Sequence, residues 1–97
     1  MWILESTDPD APLMFRLLPG SLKTMGRAKR ADFIVDAALV SRLHCRFTLD
    51  DLDRLGVEDL GSTNGTWVNG RKIDKAPLLE GDRLKVGRME FSVRAQD

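Results

Sequence analysis

The sequence predicts an all-β fold of sandwich type, on three observations. Apolar and polar residues alternate with period two over several short stretches, most clearly where Cys45, Phe47 and Leu49 interleave with His44, Arg46 and Thr48, as a half-buried strand requires. The stretches are separated by the turn pairs Pro19-Gly20, Asn64-Gly65, Asn69-Gly70 and Gly81-Asp82. Many short strands with regular turns fill the 97 residues without a repeat, a low-complexity tract or a linker, which points to a sandwich in one domain spanning 1–97.

The elements follow in chain order. Residues 1–4 and 13–18 are the first two strand candidates, joined by a surface loop at Asp8-Pro9-Asp10-Ala11-Pro12. Residues 22–27 and 33–35 follow Pro19-Gly20. In 37–43, Ala37-Ala38-Leu39-Val40 has the composition of a helical turn, too short to change the fold class. Residues 45–49 carry the strongest alternation, and 55–60 and 66–68 are shorter candidates. The two Asn-Gly pairs, five residues apart, predict a meander, because both residue types accept positive φ at little cost. Leu84 and Val86 alternate with Arg83 and Lys85, and Met89, Phe91, Val93 and Ala95 alternate with Glu90, Ser92 and Arg94, giving the last two strands.

Composition narrows the function classes. With 42% hydrophobic and 31% charged residues the chain is that of a water-soluble folded domain. Fifteen basic and fifteen acidic side chains cancel, so no net field draws it to nucleic acid or to an anionic membrane. The single Cys45 excludes an internal disulfide framework and a cysteine-built zinc site. No cofactor is expected. The start, Met1-Trp2-Ile3-Leu4 followed by Glu5 and Asp8, lacks a secretory pattern, and an intracellular location, cytoplasmic or nuclear, is the expectation.

Charge is uneven along the chain. Between Lys23 and Arg46, six basic residues face two acidic ones, a balance of +4; between Asp50 and Asp59 the balance is −4. These are either two solvated loops of opposite sign or, in the first block, an anion site. A phosphothreonine would require neutralisation of roughly 1.5 to 2 negative charges, donors for the phosphate oxygens and a small wall around one methyl group. Arg27, after Gly26 at a strand end, has the planar fork suited to a phosphate. Ser41 offers a hydroxyl on the loop before a strong strand, with Arg42 adding charge beside it, and Ser62-Thr63-Asn64-Gly65-Thr66 supplies an amide, hydroxyls and a glycine permitting close approach.

In their order along the chain, Gly26-Arg27, Ser41-Arg42-Leu43-His44 and Asn64-Gly65, continued by Thr66-Trp67-Val68-Asn69-Gly70 and by the segment from Leu78 to Gly87, the sequence resembles the forkhead-associated (FHA) domain family over about 22–93. The resemblance implies an eleven-stranded, antiparallel-rich β-sandwich of the FHA/SMAD-like type, with loops at one end holding a phosphopeptide. It implies that Arg27 and Ser41 bind phosphate with Arg42 assisting, that Thr63 and Asn64 orient the peptide, that Gly26, His44 and Gly65 support loop shape, and that Asn69 braces the recognition loop. It also places the loops around Leu39-Val40 and Arg71-Lys72 opposite residues following the phosphothreonine, with Leu39 hinting at an apolar preference. The partner so implied is a phosphothreonine-containing protein, a Ser/Thr kinase or its substrate among the candidates, with no nucleic acid and no membrane.

Four rival readings remain beside it. Gly65 and Gly70 have the spacing of a nucleotide-binding phosphate loop, but Arg71 and Lys72 stand where lysine and a hydroxyl residue are needed. A Ser41-His44 hydrolase pair lacks the G-x-S-x-G elbow. Base stacking on Trp2, Trp67 and Phe47 would make a nucleic-acid binder, against the neutral charge. The fourth is an FHA fold that binds a partner without phosphate. Thr7, flanked by Ser6 and Asp8, is either an unmodified loop residue or a phosphorylation site that folds back on the domain.

Overall fold

The computed structural model describes residues 1–96. Eleven strands run through them: β1 (Trp2–Ser6), β2 (Met14–Leu17), β3 (Ser21–Gly26), β4 (Phe33–Ile34), β5 (Cys45–Leu49), β6 (Leu55–Asp59), β7 (Thr66–Val68), β8 (Arg71–Ile73), β9 (Lys75–Leu78), β10 (Arg83–Val86) and β11 (Met89–Ala95). One sheet has the order β2-β1-β11-β10-β7-β8, the other β4-β3-β5-β6-β9. β3 with β4 is a parallel pair, set among antiparallel ladders such as β3 with β5 and β1 with β11. The sandwich and its strand number match the expectation.

Period two does the work of closing the two sheets on each other. Cys45, Phe47 and Leu49 of β5 and Leu55 and Val57 of β6 are buried against Leu4, Leu84, Val86, Phe91 and Val93 of the facing sheet. Full burial of each such side chain contributes roughly 1.5 to 3 kcal/mol. Phe15 bridges the layers, stacked on Phe33 with ring centroids 4.7 Å apart and tilted against Phe91 at 6.0 Å. Burial pushes the Cys45 thiol far up from its ordinary range, with the Asp59 carboxylate adding to the effect, so it stays neutral in the core.

The departures from the sequence reading have identifiable causes. β8 and β9, each at one end of a sheet, lack an apolar alternation. Their Arg71, Lys72, Lys75 and Pro77 are the charged and proline residues that keep an open edge from pairing with another chain. Residues 37–43 form turns rather than a helical turn, with Leu39 at φ 71°. Asn69-Gly70 makes the expected hairpin, with φ 51° and 83°. Asn64-Gly65 does not: β6 and β7 belong to different sheets, so that pair lies on a crossing between layers, and the meander is confined to β7 and β8.

Most of the acidic block is spent inside the fold. Asp50 accepts from the Leu52 and Arg54 amides, both at 2.9 Å, and pairs with the Arg54 guanidinium. Asp53 accepts from the buried Trp2 indole at 2.9 Å, and Glu58 pairs with Arg46. On the outer face of the second sheet Leu22, Thr48, Gly56 and Pro77 lie side by side in register. A Cβ on Gly56 would meet only the Ala76 carbonyl, at 3.6 Å.

Candidate functional site

Strand register assembles the site. Met25 pairs with Cys45, and Cys45 with Asp59, so the end of β3, the start of β5 and the end of β6 lie side by side. The loops leaving those strands, residues 27–32, 35–44 and 60–65, therefore rise from one edge of the sandwich. Among the described residues no helix is long and apolar enough to cross a membrane, and no group of three or more His, Cys, Asp or Glu side chains is placed to hold a metal ion.

The first two loops are locked together by backbone. Arg27 N–H donates to the Ser41 carbonyl at 3.0 Å and Ala28 N–H to the Arg42 carbonyl at 3.1 Å. Gly26 makes this approach possible: a Cβ there would lie 2.1 Å from the Arg42 carbonyl oxygen. Arg27 Nε donates to the Val40 carbonyl at 3.1 Å, which fixes the guanidinium plane and leaves its two terminal nitrogens for an anion.

His44 is fully buried and ties the second loop to the end of β3 and to the third loop. Its backbone N–H donates to Met25 O at 2.8 Å and its carbonyl accepts from Leu60 N–H at 3.0 Å. The ring Nδ1 accepts from the Ser41 backbone N–H at 3.0 Å, and Nε2 lies 2.7 Å from the Gly65 carbonyl. That pairing fits the neutral tautomer with its proton on Nε2. The imidazole therefore serves the Ser41 backbone, and both ring nitrogens are committed, which leaves no base for the Ser41 hydroxyl.

Asp59 organises the third loop. One carboxylate oxygen accepts from the Gly61 and Ser62 amides, both at 3.0 Å, and the other from the Ser62 hydroxyl at 2.5 Å and the Thr66 hydroxyl at 2.8 Å. Burial opposes its ionisation, but the Ser62 and Thr66 hydroxyls outweigh that and hold the carboxyl below the ordinary aspartate range. In the sequence Asp59 reads as one more charge of the acidic run. The available signal was its position two residues before Gly61, the spacing of an Asx turn. Gly87 was also passed over as a site-supporting residue: it lies in the β10–β11 turn at φ 61°, where a Cβ would be 2.6 Å from the Leu39 carbonyl oxygen.

Four of the outward-facing groups come together in one place. Thr63 N–H donates to Ser41 Oγ at 3.1 Å, leaving the Ser41 hydroxyl proton free to donate. Asn64 Nδ2 donates to the Leu39 carbonyl at 3.0 Å, leaving its Oδ1 as an acceptor for a peptide N–H. Arg27, Leu39, Ser41, Thr63 and Asn64 line one hollow of about 360 Å³. Gly65, at φ 88°, donates its N–H to Ser62 Oγ at 2.9 Å. Arg42 lies apart from Ser41's hollow and lines a second one of about 550 Å³, with Arg27, Ala28, Lys29 and Arg30.

Asn69 corrects an expectation. Its side chain donates to Asp82 Oδ1 and accepts from the Arg83 N–H, both at 2.9 Å. These bonds fasten the β7–β8 hairpin to the start of β10, at the opposite end of β7 from the loop at 60–65. It does not brace the recognition loop, because the three residues of β7 stand between them. The stacking platform of the nucleic-acid reading is absent: Trp2 and Phe47 are buried, and Trp67 is covered by Lys85, with Nζ 5.5 Å from the ring centroid.

Comparison with known proteins gives a consistent result. A family description named "FHA domain" matches residues 23–87. The glycogen accumulation regulator GarA of Mycobacterium tuberculosis is 38% identical over 83 residues, which is 86% of this chain and 50% of GarA. The oxoglutarate dehydrogenase inhibitor of Corynebacterium glutamicum is 34% identical over 83 residues, 86% of this chain and 57% of that protein. The chain thus spans about half the length of the curated relatives it matches. Among solved structures, one from a study of phosphothreonine-dependent FHA domain interactions superposes with a TM-score of 0.89 at 30% identity, covering 99% of this chain and 97% of the other. The FhaA FHA domain complexed with the intracellular domain of Rv3910 superposes with a TM-score of 0.87 at 31% identity, covering 97% and 100%.

Proposed function

The chain belongs to the FHA domain family, and from that premise we propose that it is a phosphothreonine-dependent protein-binding module of phosphorylation signalling, working inside the cell by capture rather than catalysis. The observation that carries this reading is the convergence on one hollow of Arg27, Ser41, Thr63 and Asn64. The Arg27 terminal nitrogens and the Ser41 hydroxyl take the phosphate. Asn64 Oδ1 holds a peptide N–H, and the Thr63 segment sets the peptide's course over the loop. Arg42 strengthens the positive field from the adjoining hollow.

Two or three charge-assisted bonds at roughly 1.5 to 3 kcal/mol each, less the cost of ordering the peptide, place the affinity near micromolar. Discrimination against phosphoserine comes from burying one methyl group, about 0.8 kcal/mol by area and up to about 3 kcal/mol in a tight pocket. The partner is a protein bearing phosphothreonine, a Ser/Thr kinase or a kinase substrate.

The test is a fluorescence titration with one degenerate peptide library in three forms: phosphothreonine, phosphoserine and unphosphorylated threonine. Saturable binding of the first alone is expected. Equal or absent binding of all three would replace this reading with a phosphate-independent scaffold on the same fold.

A further inference from the structure

The phosphothreonine hollow uses only part of the positive charge at this end of the molecule. Arg27, Lys29, Arg30 and Arg42 surround the hollow of about 550 Å³ beside it, and no carboxylate lines that hollow. Ion pairs elsewhere in the fold are made by Arg46, Arg54, Arg83 and Arg94; among the described residues none is formed by these four cations. The acidic residues of the same segment are directed elsewhere or open to solvent. Asp32 accepts from the Thr24 N–H and hydroxyl at 2.9 and 3.1 Å, and Asp36 is exposed.

Four like charges held around one hollow repel each other, and one phosphate of roughly −1.5 to −2 neutralises at most about half of them. Arg27 lines both hollows, so the two adjoin at that residue. Resting on the reading of the Ser41 hollow as the phosphothreonine site, we propose that the hollow formed by Arg27, Lys29, Arg30 and Arg42 is a second phosphate subsite, and that the preferred ligand is a segment phosphorylated twice. Because Arg27 lines both hollows and an extended peptide advances at most about 3.5 Å per residue, the second phosphate is sought within about four residues of the phosphothreonine. Arg42 and Arg30 supply forked donors to its oxygens, and Lys29 supplies a point charge.

The probes are degenerate peptides with a fixed phosphothreonine and, at each position from four before it to four after it, phosphoserine, glutamate or alanine. They are titrated against the native chain and against the double variant Lys29→Ala, Arg30→Ala, whose thermal midpoint is measured alongside. For at least one spacing the doubly phosphorylated peptide binds about tenfold or more tightly than its alanine counterpart. That gain falls to less than about twofold in the double variant, while the singly phosphorylated peptide stays within about threefold of its native affinity. Absence of gain at every spacing, or an undiminished gain in the variant, overturns the second subsite and leaves the first intact. An equal gain from glutamate overturns its assignment to phosphate. Failure of the singly phosphorylated peptides to bind the native chain, with no doubly phosphorylated peptide binding either, removes the phosphothreonine reading itself.

Discussion

Replacing each of two glycines by alanine should have opposite consequences. Neither Gly26 nor Gly56 has a positive φ, so neither is held by backbone conformation, and the difference lies in what a methyl group would meet. At Gly26 it would lie 2.1 Å from the Arg42 oxygen, 2.7 Å from its carbonyl carbon and 2.9 Å from Leu43 Cα. All three are backbone atoms, so the two loops must part by about 1 Å. The hydrogen bonds from Arg27 to Ser41 and from Ala28 to Arg42, now 3.0 and 3.1 Å, then fall outside bonding range. Two lost bonds at about 1 kcal/mol each and an overpacking cost of roughly 1 to 3 kcal/mol give about 4 kcal/mol of destabilisation for Gly26→Ala. In a domain of this size that lowers Tm by roughly 15 to 30 °C. Gly56→Ala meets one atom at ordinary contact distance and restricts the unfolded chain, which stabilises by about 0.4 to 1 kcal/mol. Urea unfolding followed by the fluorescence of buried Trp2 measures both. A Gly26→Ala stability within about 1 kcal/mol of the parent would show that the loops have slack and that the close approach does not shape the site.

Other outcomes follow from the same geometry. Arg27→Ala should weaken phosphopeptide binding by about a hundredfold or more, since charge-assisted bonds contribute roughly 1.5 to 3 kcal/mol each, with little change in Tm because Arg27 is exposed and its side chain makes one internal bond; retained affinity in isothermal titration would mean the site is elsewhere. Asp59→Asn removes charge from an acceptor of four hydrogen bonds and should cost about 2 to 3 kcal/mol. Because the Asp59 carboxyl is held below its unfolded value, its contribution is full above that value and is lost as pH falls through the native one. The parent should therefore lose stability below about pH 4, and the Asn variant should show a shallower acid slope in urea titrations. Peptide affinity should also fall between pH 7.5 and pH 5.5, as the phosphate gains a proton near about pH 6; a flat profile by fluorescence anisotropy would contradict a dianionic ligand.

Much of this was readable from the chain. The nine strands with alternating or apolar patterns lie where the period placed them, because burial against one core imposes period two on the strands that face it, the end strands β2 and β4 included. β8 and β9 were illegible for the converse reason. Edge strands are selected against pairing, and Arg71, Lys72, Lys75 and Pro77 erase the pattern. Asn64-Gly65 was legible as a turn but not as a crossing between layers, since that depends on which sheet β7 joins. Arg27, Ser41, Thr63 and Asn64 stand out by residue type and order, and they line one hollow. Asp59 and Gly87 were missed because their roles exist only through partners brought near by folding: the Ser62 and Thr66 hydroxyls for one, the Leu39 backbone for the other. Asn69 was assigned to the wrong neighbour for a related reason. Its proximity in sequence to the recognition loop is offset by a strand that carries it to the far end of the sheet.

The hydrogen bonds from Thr63 to Ser41 and from Asn64 to Leu39 join groups of the chain itself and need no ligand atom, and this bears on the kinetics of capture. A site whose loops are already tied needs no slow rearrangement after encounter. The observed association rate should then rise linearly with peptide concentration and show no plateau, while the basic rim speeds encounter at low ionic strength. Differences in affinity between peptides would appear as differences in residence time. Signalling through such a module would end quickly once a phosphatase removes the free ligand, because nothing in the loops has to relax before release.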